Sequence, residues 1–271
     1  MIAASLVRAG GPAPRSPLPP PLSDQAETVD DLWGLYLWIA IGVVVLVAGL
    51  LAYQIVRFRR RDEQMPTQKH YNIPMEVTYL VIPFLVVAAL FGLTLVTEDR
   101  IGASDREPDL VVDVVAFQWQ WQFTYPEAGV TVTGGADGDV PTLVLPADST
   151  VRFDMASLDV IHSFWITAFR FKRDIIPGRP TSFEVDVRDE VGEYPNIGVC
   201  AEYCGLDHAK MQFSVTILSP DDFDAWLADA PRRADAGEVR SVTSDVVDDA
   251  DVGGARPVTT GDPVTTGGSS S

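Results

Sequence analysis

Two long uncharged runs dominate the first hundred residues. Leu32–Val56 and Val77–Thr97 contain no Asp, Glu, Lys or Arg, and each is long enough to cross the hydrocarbon core of a bilayer as a helix. Trp33, Tyr36 and Trp38 cluster at the start of the first run, as aromatic side chains do at a membrane interface. Arg57, Arg59, Arg60 and Arg61 close it, and by the positive-inside bias they put that end in the cytoplasm. The pattern predicts an antiparallel transmembrane hairpin, with spans at about 32–56 and 77–97 and both termini on the outer face of the cell membrane. Pro83 is expected to kink the second span. A hairpin buried in a water-soluble protein rarely has runs this long or an arginine cluster at the turn.

Beyond Asp99 the period changes. Short apolar or alternating runs, separated by Gly, Pro and Asp, predict an all-β domain over 105–232. Gln118–Tyr125 alternates, with Trp119, Trp121, Phe123 and Tyr125 on one face and Gln118, Gln120, Gln122 and Thr124 on the other. Other predicted strands are 110–116, 142–145, 150–154, 160–166, 182–187, 193–199 and 212–217. Turn signals stand at Gly134-Gly135, Asp137-Gly138 and Pro177-Gly178. Strands of this length and spacing suggest a sandwich or barrel. Ser219-Pro220-Asp221-Asp222 predicts the start of a short helix ending near Ala230, with Ser219 as its cap. Residues 1–31, proline-rich and without an adequate apolar run for a signal peptide, are expected to form a disordered arm. Residues 233–271 are expected to form an acidic disordered tail.

Composition sharpens this division. The chain has 271 residues, is 46% hydrophobic and carries a formal net charge of -18. Apolar residues therefore belong to the membrane segments while acid dominates the water-exposed part. Phosphate would repel such a chain, which excludes nucleic acid as a partner. Acid at this density fits either steering of a basic partner or a halophile-like adaptation to high salt.

The candidate chemistry lies in Cys200-Ala-Glu202-Tyr-Cys204-Gly-Leu-Asp-His208-Ala-Lys-Met211. The segment holds both cysteines of the chain, one of three histidines and one of five methionines. Thiolates, imidazole and thioether favour copper over magnesium or calcium. A second cysteine allows two metals to be bridged. His70 lies in the arginine-rich loop, so His162, in the strand-like run Leu158–Ile166, is the candidate for the second imidazole. A disulfide between the cysteines and a structural zinc site are the competing readings, as is His162 serving only as a core histidine.

The pattern of a distant His followed by Cys-x-Glu-x-Cys-x-x-x-His-x-x-Met resembles the binuclear copper A site of subunit II of haem-copper cytochrome c oxidases. The resemblance covers roughly residues 30–230. It implies a cupredoxin-like Greek-key sandwich after the membrane hairpin. It also implies two copper ions bridged by Cys200 and Cys204 and capped by His162 and His208, with Met211 and the Glu202 carbonyl as weak ligands. The Glu202 side chain would hold magnesium or manganese at the contact with subunit I. Trp119 in Gln-Trp-x-Trp-x-Phe-x-Tyr matches the residue through which electrons enter, and Asp159 matches a donor-docking carboxylate. Glu76 in Glu-x-x-aromatic-x-x-x-Pro matches a glutamate at the mouth of a proton channel, with Tyr79 where relatives have Trp. Lys172-x-Asp174-x-x-Pro177-Gly178-Arg179 matches a segment near the haem-bearing subunit, while Thr167-Ala168 departs from the family.

The function implied is relay of single electrons from cytochrome c or a small blue-copper protein to a haem-bearing subunit I. That subunit, with other oxidase subunits, would reduce dioxygen to water and pump protons. A membrane nitric oxide reductase is the alternative, since its copper A ligands would look the same. No Cys-x-x-Cys-His haem motif is present, so the donor is expected to be a separate molecule.

Overall fold

The computed structural model describes residues 17–60, 65, 68–102, 107–134 and 139–235, the side chains of 231–235 excepted. Two long helices come first, α1 (Asp24–Arg57) and α2 (Ile73–Gly102). Both are apolar enough to span a membrane. They lie side by side, joined where the Tyr36 hydroxyl meets the Leu90 carbonyl and the Thr94 hydroxyl, each at 2.6 Å.

The first helix begins eight residues before the uncharged run, which corrects the expected arm over 1–31. Ser23 caps it, its Oγ accepting from the Ala26 N–H at 3.1 Å, with Asp24 and Glu27 in the first turn. Leu22 and Ala26 are buried against the β-domain. The acids at 24–31 therefore belong to a helix that rises from the apolar run onto the domain. Residues 1–16 and Arg61 lie outside the described residues. So does the tail from 236 onward, while 233–235 continue the last helix.

Ten strands follow: β1 (Leu110–Phe117), β2 (Gln120–Tyr125), β3 (Val130–Thr133), β4 (Thr142–Pro146), β5 (Ser149–Ser157), β6 (His162–Ile166), β7 (Phe171–Ile175), β8 (Thr181–Val187), β9 (Gly192–Cys200) and β10 (Gln212–Leu218). They form two five-stranded sheets, ordered β3-β2-β1-β5-β8 and β4-β10-β9-β6-β7. The chain passes repeatedly between the sheets, and β1–β5 and β4–β10 pair in parallel. This is the expected all-β sandwich. The strands β3 and β7 were not foreseen, and both are edges.

The core lies between the sheets. Trp121, Phe123 and Tyr125 of β2 are fully buried, and Phe164 of β6 stacks on Phe213 of β10 with centroids 5.0 Å apart. Gly198 of β9 makes room for that ring, since a Cβ there would come within 2.2 Å of Phe213. The last helix, α3 (Pro220–Asp235), places Phe223 and Trp226 against Tyr125. It runs five residues past the expected end at Ala230. Ser219 caps it, accepting from the Asp222 N–H at 3.2 Å.

Candidate metal centre

One end of the sandwich gathers the soft ligands. His162 opens β6, Cys200 closes β9, and the loop from Cys204 to a 3-10 turn at His208–Lys210 leads to Met211, just before β10. Strand pairing sets this end: Phe164 is opposite Cys200, and the Cys200 N–H donates to the Met211 carbonyl at 3.0 Å. The Trp121 indole donates to the same carbonyl at 3.4 Å.

The thiols of Cys200 and Cys204 are buried and 3.9 Å apart, so they are not bonded to each other. Cys200 Sγ lies 3.8 Å from His162 Nδ1, and Cys204 Sγ lies 3.5 Å from His208 Nδ1 and 3.8 Å from Met211 Sδ. The Cys200 thiol also reaches the Glu202 carbonyl at 3.2 Å. The ligand atoms of His162, Cys200 and Cys204 all lie within 4.8 Å of one another. With bonds of about 2.3 Å to sulfur and about 2.0 Å to nitrogen, a tetrahedral ion holds sulfur and nitrogen about 3.5 Å apart and two sulfurs about 3.8 Å apart. The donor set fits that spacing, and each thiol has its own imidazole.

His162 is fully buried and oriented from behind. Its Nε2 faces Asp159 Oδ1 at 2.9 Å, which leaves Nδ1 directed at Cys200, the arrangement in which a carboxylate fixes the tautomer of a ligating histidine. Burial works against the imidazolium, but Cys200 and Asp159 outweigh it and hold the His162 pKa above its ordinary value. Burial works against the Asp159 carboxylate too. The His162 ring and the N–H groups of Gln118 and Val160 outweigh that and hold it below the ordinary carboxylate range. Burial alone would raise Cys200, yet His162 and the N–H groups of Ser163 and Glu202 bring it down to about 7. Cys204 moves up, through burial and then the Cys200 thiolate beside it. The first thiolate forms easily and the second only when something positive joins it.

Trp119 does not continue the inward stripe of β2. Gln118 and Trp119 form the two-residue link between Phe117 and Gln120, and both turn toward the Cys204 carbonyl. The Trp119 indole donates at 3.2 Å and the Gln118 amide at 2.8 Å. Gln118 was expected on the face opposite Trp119; it is exposed, but the tight turn brings both side chains to one carbonyl. The Glu202 side chain is exposed. Glu76 lies elsewhere, in the first turn of α2, where its carboxylate accepts from the Asn72 N–H at 2.9 Å.

The profile described as "Cytochrome C oxidase subunit II, periplasmic domain" matches residues 137–218, and the one described as "Cytochrome C oxidase subunit II, transmembrane domain" matches residues 16–95. The chain is similar to the probable cytochrome c oxidase subunit 2 of Streptomyces avermitilis, at 34% identity over 83% of this chain and 82% of that one. The chain belongs to the cytochrome c oxidase subunit II family. Cytochrome c oxidase subunit 2 of Mycobacterium bovis is a further relative, at 29% identity over 77% of this chain and 73% of that one. Among solved structures, the periplasmic domain of subunit II of cytochrome oxidase of Bradyrhizobium japonicum is 28% identical. It covers 48% of this chain and 99% of that one, with a TM-score of 0.43. Membership of this family makes the chain a two-span membrane component of a terminal oxidase, assembled with other subunits.

Sequence reading missed two residues at this centre. Gln118 looked like an outward strand residue. Gly205, which follows Cys204 with φ +121°, carried a signal in being a glycine beside a candidate ligand.

Proposed function

We propose that this chain is the electron-accepting subunit of a respiratory cytochrome c oxidase, holding a binuclear copper A centre on the outer face of the membrane. The observation that carries this reading is the pair of buried thiols 3.9 Å apart, each facing its own imidazole. Cys200 and Cys204 would bridge two coppers, His162 and His208 would each cap one, and Met211 and the Glu202 carbonyl would be weak ligands. When bound, the copper pair supplies a one-electron store. The protein supplies a buried, closed ligand cage that needs little rearrangement when charge is added, with the Asp159 carboxylate holding His162 in place.

Around this centre the side chains divide the remaining work. Trp119 stands partly buried against the ligand loop, its N–H on the Cys204 carbonyl, and accepts the electron from cytochrome c or a small blue-copper protein. The exposed Glu202 carboxylate suits a hard cation, magnesium or manganese, at the contact with haem-bearing subunit I. Glu76 opens α2 at the cytoplasmic side and admits protons toward the partner, which reduces dioxygen to water with proton pumping. The arginines after α1 support an orientation with both termini on the outer face. A nitric oxide reductase subunit is not favoured, because the relatives are named as cytochrome c oxidase subunits.

Rapid mixing of the copper-loaded full chain with a reduced donor tests this reading. One electron should enter per chain, and Trp119→Phe should slow that step while copper stays bound. A copper-loaded chain that takes up no electron would overturn it.

A further inference from the structure

We infer that Gln118 is a positioning residue of the metal centre, its side chain fixing the Cys204 half and its backbone N–H fixing, through Asp159, the His162 half. The inference rests on the copper reading above. The Gln118 amide donates to the Cys204 carbonyl at 2.8 Å, and its N–H donates to Asp159 Oδ2 at 2.6 Å. The other oxygen of Asp159 faces His162 Nε2 at 2.9 Å. One residue thus ties together ligands that come from β6 and from the loop after β9.

The surroundings are built for this contact. The Trp119 indole donates to the same carbonyl at 3.2 Å, so two donors fill both lone pairs of that oxygen. Gly205 admits them. A Cβ at that position would stand 3.1 Å from Gln118 Nε2, 3.1 Å from Trp119 Cζ2 and 3.2 Å from Trp119 Nε1, and its φ of +121° strains any side-chain-bearing residue. Two-residue hairpin links favour Asn and Gly; here Gln and Trp occupy the link, and both side chains serve the ligand loop.

Two effects follow from removing the amide. The Cys204 loop loses one of the two donors that hold it, so Cys204 Sγ is less firmly placed against Cys200. The positive end of an amide dipole also leaves the neighbourhood of a thiolate ligand. That dipole favours the state carrying the extra electron, so its loss lowers the reduction potential.

The experiment uses the full chain in detergent, loaded with copper, with affinity measured by chelator competition and potential by optical redox titration, no donor being present. Gln118→Leu should lose copper affinity about 10- to 100-fold, the range found when partners of ligands are removed. Its potential should fall while the spectrum keeps the two-copper form. Gly205→Ala, which pushes both donors away, should follow it in both readouts, and Gln122→Leu in β2 should leave both unchanged. Combined with Asp159→Ala, Gln118→Leu should cost less than the product of the two single losses, since the two bonds act in series. Wild-type affinity and potential in both Gln118→Leu and Gly205→Ala would overturn the inference, as would an equal loss in Gln122→Leu. A wild-type chain without a two-copper signature would instead sink the proposed function, so the two failures are distinct.

Discussion

The two ends of the β-sandwich are held by different physics, and β6 runs from one to the other. At its start His162 meets Cys200, beside Cys204 with its thioether and second imidazole, in a cluster tied by hydrogen bonds from the β1–β2 turn. At its far end the 3-10 turn Thr167–Phe169 and Arg170 meet α1 through charge. Arg170 forks onto both oxygens of Asp30 at 2.9 and 3.0 Å and also donates to the Thr167 and Pro19 carbonyls. Gln25 exchanges two hydrogen bonds with Asp186, and Arg188 bridges Glu27 and Glu190. The first end should respond to metal and protons, and the second to loss of a charge partner. The proposed electron relay would need both, one to hold the carrier and one to hold the domain on its membrane anchor.

The largest break in this contrast comes from a ligand. Cys204→Ser should abolish the two-copper centre and leave at most one weakly held copper, seen as loss of bound metal after dialysis, while Arg170–Asp30 keeps the domain docked. The converse is Arg170→Ala. Its side chain is 3% exposed and that of Asp30 22%, so removal leaves a partly buried carboxylate without its partner, at a cost of about 3 kcal/mol. Thermal unfolding should report that loss with the copper spectrum unchanged.

A subtler contrast is in pH. Cys200 is drawn down to about 7, while Cys204 and His162 are held above their ordinary values, so copper displaces protons from the Cys204 thiol and the His162 ring, and in acid from Cys200 as well. Copper affinity should therefore rise with pH, more steeply below about 7 than above it, because ligation competes with protons. Competition titrations from acid to alkaline pH would show the change of slope. The smallest effect belongs to Arg188. Glu27 is 59% and Glu190 42% exposed, so Arg188→Ala should cost under about 1 kcal/mol and less at high salt. A salt-independent loss of several kcal/mol would contradict the assignment of that contact to surface charge.

The spans were legible because an uncharged run of that length has few other uses. The start of α1 was not, since residues 1–31 read as a proline-rich arm and Asp24, Glu27, Asp30 and Asp31 lie outside the uncharged run. Two of them, Glu27 and Asp30, are the charges that meet Arg188 and Arg170. Central strands showed their alternation. The edges β3 and β7 did not, one being four residues long and the other carrying the exposed charges Lys172, Arg173 and Asp174, as edge strands tend to. The candidate cluster around Cys200, Cys204 and His208 stood out by residue type, and the family resemblance supplied the rest of the proposed ligand set. Gln118 was not, because its contact with Cys204 spans 86 positions and its side-chain type is ordinary for a strand surface.

Electron paramagnetic resonance of the copper-loaded full chain tests the central claim most directly. One unpaired electron shared by two equivalent copper nuclei gives a seven-line pattern, with two coppers bound per chain, and this is the expected result. A four-line pattern, from an electron confined to one copper, would contradict the bridging role of Cys200 and Cys204.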